Sequence, residues 1–170
     1  GLPVKGALVS SGTTSTTSDE RGRFKLRVPK READITVNAV GYEPFSTKAY
    51  KTLSIYLIPL PEKMAEYWFD YWKSGNYEKM YDLLSADSRK NITKEAFQQE
   101  FSRYKLEILD VKSEKKSEEG NLVNVNVELG INTPFGRQPL RFPLQLIKEE
   151  GYWKVVWYST GQFSQGYSPP

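Results

Sequence analysis

With 38% hydrophobic and 26% charged residues, this 170-residue chain falls within the range of soluble globular proteins and outside that of disordered ones. It contains no Cys and no His. This excludes disulfides, thiol nucleophiles and thiolate metal sites, and removes the commonest general base and metal ligand. Net charge is +3, unevenly spread: residues 1–61 hold nine Lys/Arg against five Asp/Glu, residues 62–170 fifteen against sixteen. Aromatic residues reach 14%, and rings of about 150–250 Å² each let short elements bury a core. No run of about 18 apolar residues occurs, and residues 1–9 are not a signal peptide. Any export signal or membrane anchor is expected upstream of Gly1.

Short alternating runs fill the first sixty residues. Val4, Ala7 and Val9 precede a Ser/Thr/Gly tract at 10–18, read as a loop leading into a β-branched strand. Asp19-Glu20-Arg21-Gly22 is a turn. Phe24, Leu26 and Val28 then alternate as an inward strand face. Residues 29–33 turn the chain; Ile35, Val37 and Ala39 form the next strand, ended by Gly41. Leu53, Ile55 and Leu57 form the last, stopped by Pro59 and Pro61. Strands at this spacing predict a β-sandwich over residues 1–60. Arg21, Arg23, Lys25 and Arg27 alternate on the face opposite Phe24, Leu26 and Val28. Without aromatics on that same face the stripe reads as a solvated surface, and no nucleic acid is expected. Two adjacent carboxylates, Asp19 and Glu20, are too few for Ca²⁺ and suit an ordinary turn.

The segments Gly1-Leu2-Pro3-Val4-Lys5-Gly6-Ala7-Leu8-Val9, Thr16-Thr17-Ser18-Asp19-Glu20-Arg21-Gly22-Arg23-Phe24 and Val40-Gly41-Tyr42 resemble carboxypeptidase regulatory-like domains. That resemblance implies a transthyretin-type sandwich serving as an accessory domain of exported or surface proteins. Family members begin with one further strand, so this sandwich is expected to lack an edge strand or to borrow one. Peptidase activity is not implied, because a zinc carboxypeptidase needs His ligands.

Beyond Pro61 the period changes. Met64, Tyr67, Trp68, Tyr71 and Trp72 recur at helical spacing, and Gly75 or Asn76 supplies a left-handed stop. Tyr77, Met80, Tyr81 and Leu84 continue as a second short helix, and residues 85–88 read as a loop. Thr93 is an N-cap for a third helix carrying Phe97, Phe101 and Tyr104. From residue 106 the period is two. Leu106 and Ile108 lead to Val111, Val123 to Ile131 alternate, Leu140 to Leu146 alternate, and Trp153, Val155 and Trp157 close the series. Three helices followed by a curved antiparallel meander form an α+β domain over residues 61–170, with a polar tail at 162–170.

Tyr71-Trp72-Lys73-Ser74-Gly75-Asn76-Tyr77, Met80-Tyr81-Asp82-Leu83-Leu84, Ile92-Thr93-Lys94-Glu95-Ala96-Phe97, residues 133–136 and Trp153-Lys154-Val155-Val156-Trp157-Tyr158-Ser159 resemble the nuclear transport factor 2-like superfamily. The likeness spans about residues 62–163. It is closest to the version that precedes the transpeptidase region in some penicillin-binding proteins of Gram-positive bacteria. A cone of helices on a curved sheet is implied. No transpeptidase-like region follows within the chain and no Ser-x-x-Lys nucleophile motif is read in it, its Ser–Lys spacings falling on ordinary surface segments, so neither acylation chemistry nor penicillin binding is carried over.

Cones of this superfamily often hold a pocket, whose candidates here are Tyr67, Tyr71, Trp72, Trp153 and Trp157. An aromatic stripe at helical spacing is equally the pattern of a packed core, and both readings stand. Asp70 lies at the edge of the stripe, facing water, and is a poor general base. The expected function is a non-catalytic binding or spacer module of the bacterial cell envelope, extracytoplasmic, secreted or membrane-anchored. The alternative is a small-molecule or glycan-binding protein using the aromatic pocket. Expected partners are an envelope protein or a cell-wall glycan; no cofactor or metal is expected, and the oligomeric state is open.

Overall fold

The change of period at Pro61 falls where the chain divides into two units, Gly1–Leu60 and Pro61–Pro170. The computed structural model describes residues 2–104 and 106–157; the polar tail at 162–170 and the Tyr158-Ser159 end of the last motif lie outside the described residues.

In the first unit, β1 (Leu8–Ser11), β2 (Thr14–Thr17), β3 (Asp34–Asn38) and β4 (Phe45–Lys48) form one antiparallel sheet in the order β2-β1-β3-β4. The Ser/Thr tract expected as a loop is itself a tight hairpin, with Ser11 opposite Thr14. Its β-branched threonines favour extended backbone, and residues 12 and 13 suffice for the turn. Val9 faces Val37 across the ladder, and with Ala7, Ala33, Ile35 and Ala49 they form the buried core. Ser18 is sealed beside it: its hydroxyl accepts from the Ala7 amide (2.9 Å) and donates to the Val4 carbonyl (2.6 Å).

The strands expected at 24–28 and 53–57 keep their alternation without entering a ladder. Phe24, Leu26, Val28, Leu53, Ile55 and Leu57 are half-buried against the core, while residues 25, 27, 54 and 56 are exposed. Among the described residues the unit therefore has one hydrogen-bonded sheet, with extended segments packed against its core, where two sheets were expected. Alternation decides which face turns inward; a ladder also requires a neighbouring strand about 4.8 Å away. The fourth strand was not foreseen, because Phe45–Lys48 has no buried alternate face.

The second unit begins with α1 (Pro61–Lys73), α2 (Tyr77–Asp82), α3 (Ala86–Asn91) and α4 (Lys94–Arg103). Four helices replace the three expected, since part of the presumed 85–88 loop is the start of α3. That helix has no apolar stripe for periodicity to detect, and it rests on its cap: the Ser85 hydroxyl accepts from the Ser88 amide at 3.2 Å. Gly75 at φ +69° makes the turn between α1 and α2, and Thr93 caps α4 by accepting from the Ala96 amide.

The helices pack on a four-stranded meander, β5 (Ile108–Glu119), β6 (Leu122–Thr133), β7 (Gly136–Glu149) and β8 (Tyr152–Val156), in sequential order. The link between α2 and α3 is stitched to β8: the Ser85 amide donates to the Val155 carbonyl (2.8 Å) and the Val155 amide to Leu83 (2.9 Å). The sheet's outer face carries a charge ladder in which Arg137 grips Asp110 through two hydrogen bonds (2.8 and 2.7 Å) and Arg141 meets Glu128 at 3.1 Å. Gly130 lies under that grip. A Cβ there would stand 2.4 Å from Asp110 Oδ2 and 2.5 Å from Arg137 Nε.

Candidate functional site

α1 supplies most of the rings that the sequence marks out. Its apolar stripe buries Met64, Ala65, Trp68, Phe69 and Trp72, so its centre is rotated away from Tyr67 and Tyr71. Those two tyrosines are half-buried on the flank, where the Lys63 ammonium stands 5.2 Å from the Tyr67 ring and Lys79 5.4 Å from the Tyr71 ring. Such cation–π contacts contribute about 0.5–1 kcal/mol at partly exposed sites. Phe69 is a core ring that the stripe did not include, although its spacing to Ala65 (i−4) and Trp72 (i+3) marks the same face.

Trp72 and Trp157 converge on Phe101, with ring centroids 4.9 and 5.2 Å away. Trp68 sits among Phe69 (5.1 Å), Phe101 (5.5 Å), Trp157 (5.8 Å) and Phe97 (6.5 Å). Its indole N–H donates to the Met80 carbonyl at 3.1 Å. Trp72, Trp153 and Trp157 are 4%, 6% and 2% exposed. Trp153 is not part of the Phe101 group; its ring lies 5.6 Å from the Lys148 ammonium, and its indole nitrogen has no hydrogen-bond partner among the described residues. The five candidates are thus two flanking tyrosines, two tryptophans in one ring cluster, and one tryptophan on β8.

Among the described residues no Asp, Glu, Lys or Arg is buried as a whole, although one carboxylate oxygen of Glu100 on α4 is buried. Among the described residues the buried polar side chains are serines: Ser11, Ser18, Ser85 and Ser88. Ser85 and Ser88 bond each other at 2.8 Å, and Ser88 Oγ accepts from the Trp157 amide at 2.8 Å, so both hold backbone in place. Asp70 is exposed, and partial desolvation raises its carboxyl while Lys73 and Lys63 pull it back. Two Ser-x-x-Lys spacings do occur, at 102–105 and 113–116. Ser102 donates to the Gln99 carbonyl, and Lys105 lies outside the described residues. Ser113 bonds the Glu62 carbonyl and the Glu66 carboxylate, both at 3.0 Å, while the Lys116 ammonium pairs with Glu114 at 2.7 Å. The Lys116 ammonium thus engages a carboxylate and not, as a base would, the serine hydroxyl.

In the first unit the Asp19 carboxylate accepts from the Arg21 and Arg23 amides, both at 2.8 Å. Those bonds, led by the Arg23 amide, hold its carboxyl below the ordinary range. Among the described residues no three acidic side chains converge on a metal position. An open cleft of about 620 Å³ is lined by Lys73, Leu106, Glu107, Ile108 and Leu109. The Lys73 ammonium there donates to the Leu109 carbonyl at 2.7 Å. Chemically, the second unit offers an apolar, ring-filled interior.

The family described as NTF2-like N-terminal transpeptidase domain matches residues 60–165. No curated protein matches the chain. Among solved structures, a SEC-C motif containing protein from Rhodopseudomonas palustris matches at 13% identity with a TM-score of 0.47, over 56% of this chain and 74% of that one.

Proposed function

The chain belongs to the family of NTF2-like N-terminal transpeptidase domains, and on that premise we propose that it is a non-catalytic extracytoplasmic module of the bacterial cell envelope. Its role is to hold, orient or space a neighbouring domain or envelope protein. The observation that carries this reading is the interior of the second unit. Where an enzyme of this architecture needs buried acid–base groups, the described residues bury tryptophan and phenylalanine rings beside two serines bonded to each other. The family's description places such domains beside transpeptidases, which supports an envelope location. The resemblance of residues 1–60 to carboxypeptidase regulatory-like sandwiches supports an accessory role for the first unit as well.

The second reading, a glycan or small molecule held by the rings, draws on one observation: the Trp153 indole N–H, buried without a partner among the described residues. Intrinsic tryptophan emission separates the two, because all four tryptophans lie in the second unit. Titration of the full chain with soluble muropeptides and glycan strands is expected to leave the emission unchanged. A saturable shift of one-to-one stoichiometry, lost in Trp153→Phe, would replace the spacer with a glycan binder.

A further inference from the structure

One segment of the first unit carries cations and no acid. Residues 21–31 hold Arg21, Arg23, Lys25, Arg27, Lys30 and Arg31, with no Asp or Glu among them, and all six are exposed. Arg23 engages Asp19 at 3.2 Å and Lys5 pairs with Glu20, while Arg21, Lys25 and Arg27 form no ion pair among the described residues. Such a stripe is by itself a solvated surface; an apolar feature beside it changes what it can meet. That feature is the turn after β3. Val40 is 100% exposed, between Ala39, whose carbonyl accepts from the Tyr42 amide at 3.2 Å, and Gly41 at φ +82°. Phe45, which opens β4 opposite Val37, is 36% exposed. The register places these residues beside the cations. Leu8 of β1 pairs with Thr17 of β2 on one side and Asn38 of β3 on the other, so the turns at 19–22 and 39–42 lie at the same end of the sheet. Thr17 and Asn38 are two strand spacings apart, about 10 Å. Asp19, Glu20 and Glu43 share this end, and the first two are already held by Arg23 and Lys5.

We propose that this end of the first unit docks on a bilayer of anionic phospholipid, with Arg21, Arg23, Lys25 and Arg27 against the phosphate headgroups and Val40 entering the apolar layer behind them. Cations near an anionic membrane surface are each drawn to it over a Debye length, and an exposed aliphatic side chain adds to the attachment by leaving water. A bilayer fits better than a soluble polyanion, because phosphate contacts alone would leave Val40 in water. All of these residues belong to the first unit, so the outcome does not depend on the ring-filled interior that carries the spacer reading.

The test sediments the full chain with vesicles of phosphatidylglycerol and phosphatidylcholine in equal parts, and with vesicles of phosphatidylcholine alone. Binding to the first and not the second is expected, weakening as salt rises. Arg21→Glu/Lys25→Glu/Arg27→Glu should weaken it about tenfold or more, and Val40→Ser about threefold or more. All four side chains are exposed, and unchanged far-UV ellipticity and thermal midpoint establish that each variant is folded. Absence of binding at millimolar lipid, or equal binding to both kinds of vesicle, would overturn the proposal. Binding unaltered by Val40→Ser would also overturn it, by reducing the effect to charge alone. Inorganic polyphosphate binding as tightly as the anionic vesicles would then assign the cations to a soluble polyanion.

Discussion

The two units fill their interiors with different currencies of side chain. The first buries Ala7, Val9, Ala33, Ile35, Val37 and Ala49, three of them alanine, and leaves Phe24, Leu26 and Val28 only half-covered. The second buries Trp68, Phe69, Phe97, Phe101 and Trp157 to 2% exposure or less. Small side chains set close together give a thin core, and small units bury a smaller fraction of their surface than large ones. Large rings in edge-on contact bring about 0.5–1.5 kcal/mol per pair beyond the area they remove from water. The lesson is that one chain carries a unit whose stability is concentrated in a few rings and another whose stability is spread over modest contacts.

The sharpest way to break this contrast is Trp68→Ala. It removes the ring that touches four others and the bond to Met80, and should cost about 3–5 kcal/mol, read as a lower urea midpoint of far-UV ellipticity. A cost near that of a surface substitution would mean the rings are loosely packed. Next, Ile35→Ala in the thinner core should cost about 2–4 kcal/mol, read as faster hydrogen exchange at the β1 and β3 amides. Protection that persists would show the first unit to be sturdier than its alanine-rich core implies. Gly130→Ala should cost no more than about 1 kcal/mol, since the added methyl displaces only the solvent-exposed ends of the Asp110 and Arg137 side chains; a crystal structure with the Asp110–Arg137 grip intact would contradict it.

The smallest effect is electrostatic. Hydrogen bonds from Arg137 hold the Asp110 carboxyl below its ordinary range. A carboxyl depressed on folding adds stability that is present above its unfolded pKa and lost as pH falls through the folded value. The pair is solvent-exposed, so the contribution is slight. Arg137→Gln should therefore be a little less stable than the parent chain at neutral pH, and the gap should close as pH falls below the ordinary carboxylate range. A gap that stays constant with pH would assign Arg137 a packing role instead.

Much of this fold could be read from residue patterns, and the failures share one cause. Strong periods identify faces: the Thr93 cap and the alternations in β6 and β7 lie where the pattern puts them, while the α1 stripe holds for Met64, Trp68 and Trp72 and fails for Tyr67 and Tyr71. Elements without a buried face are silent, which is why α3 rests unseen on Ser85 and why Phe45–Lys48 carries no strand signal. Periodicity also says nothing about partners. Residues 24–28 and 53–57 alternate correctly yet join no ladder, because pairing depends on a neighbour that local sequence does not encode. For the candidate site, the pattern found the aromatic residues but not their grouping. Tyr71 stands one residue, about 100° around α1, from Trp72, and Tyr67 the same step from Trp68, enough to move both tyrosines from interior to flank.

The meander has a bearing on how the chain assembles. Each of β5 to β8 pairs only with its sequence neighbours through two-residue turns, so little loop entropy opposes zipping the strands together, and such local pairing is fast. The helices are synthesised first, however, and their rings stay uncovered until the last strand arrives. Val155 must reach Leu83, and the Trp157 amide must reach Ser88, before the interior closes. Until β8 pairs, a nearly complete sheet stands beside an exposed patch of tryptophan and phenylalanine.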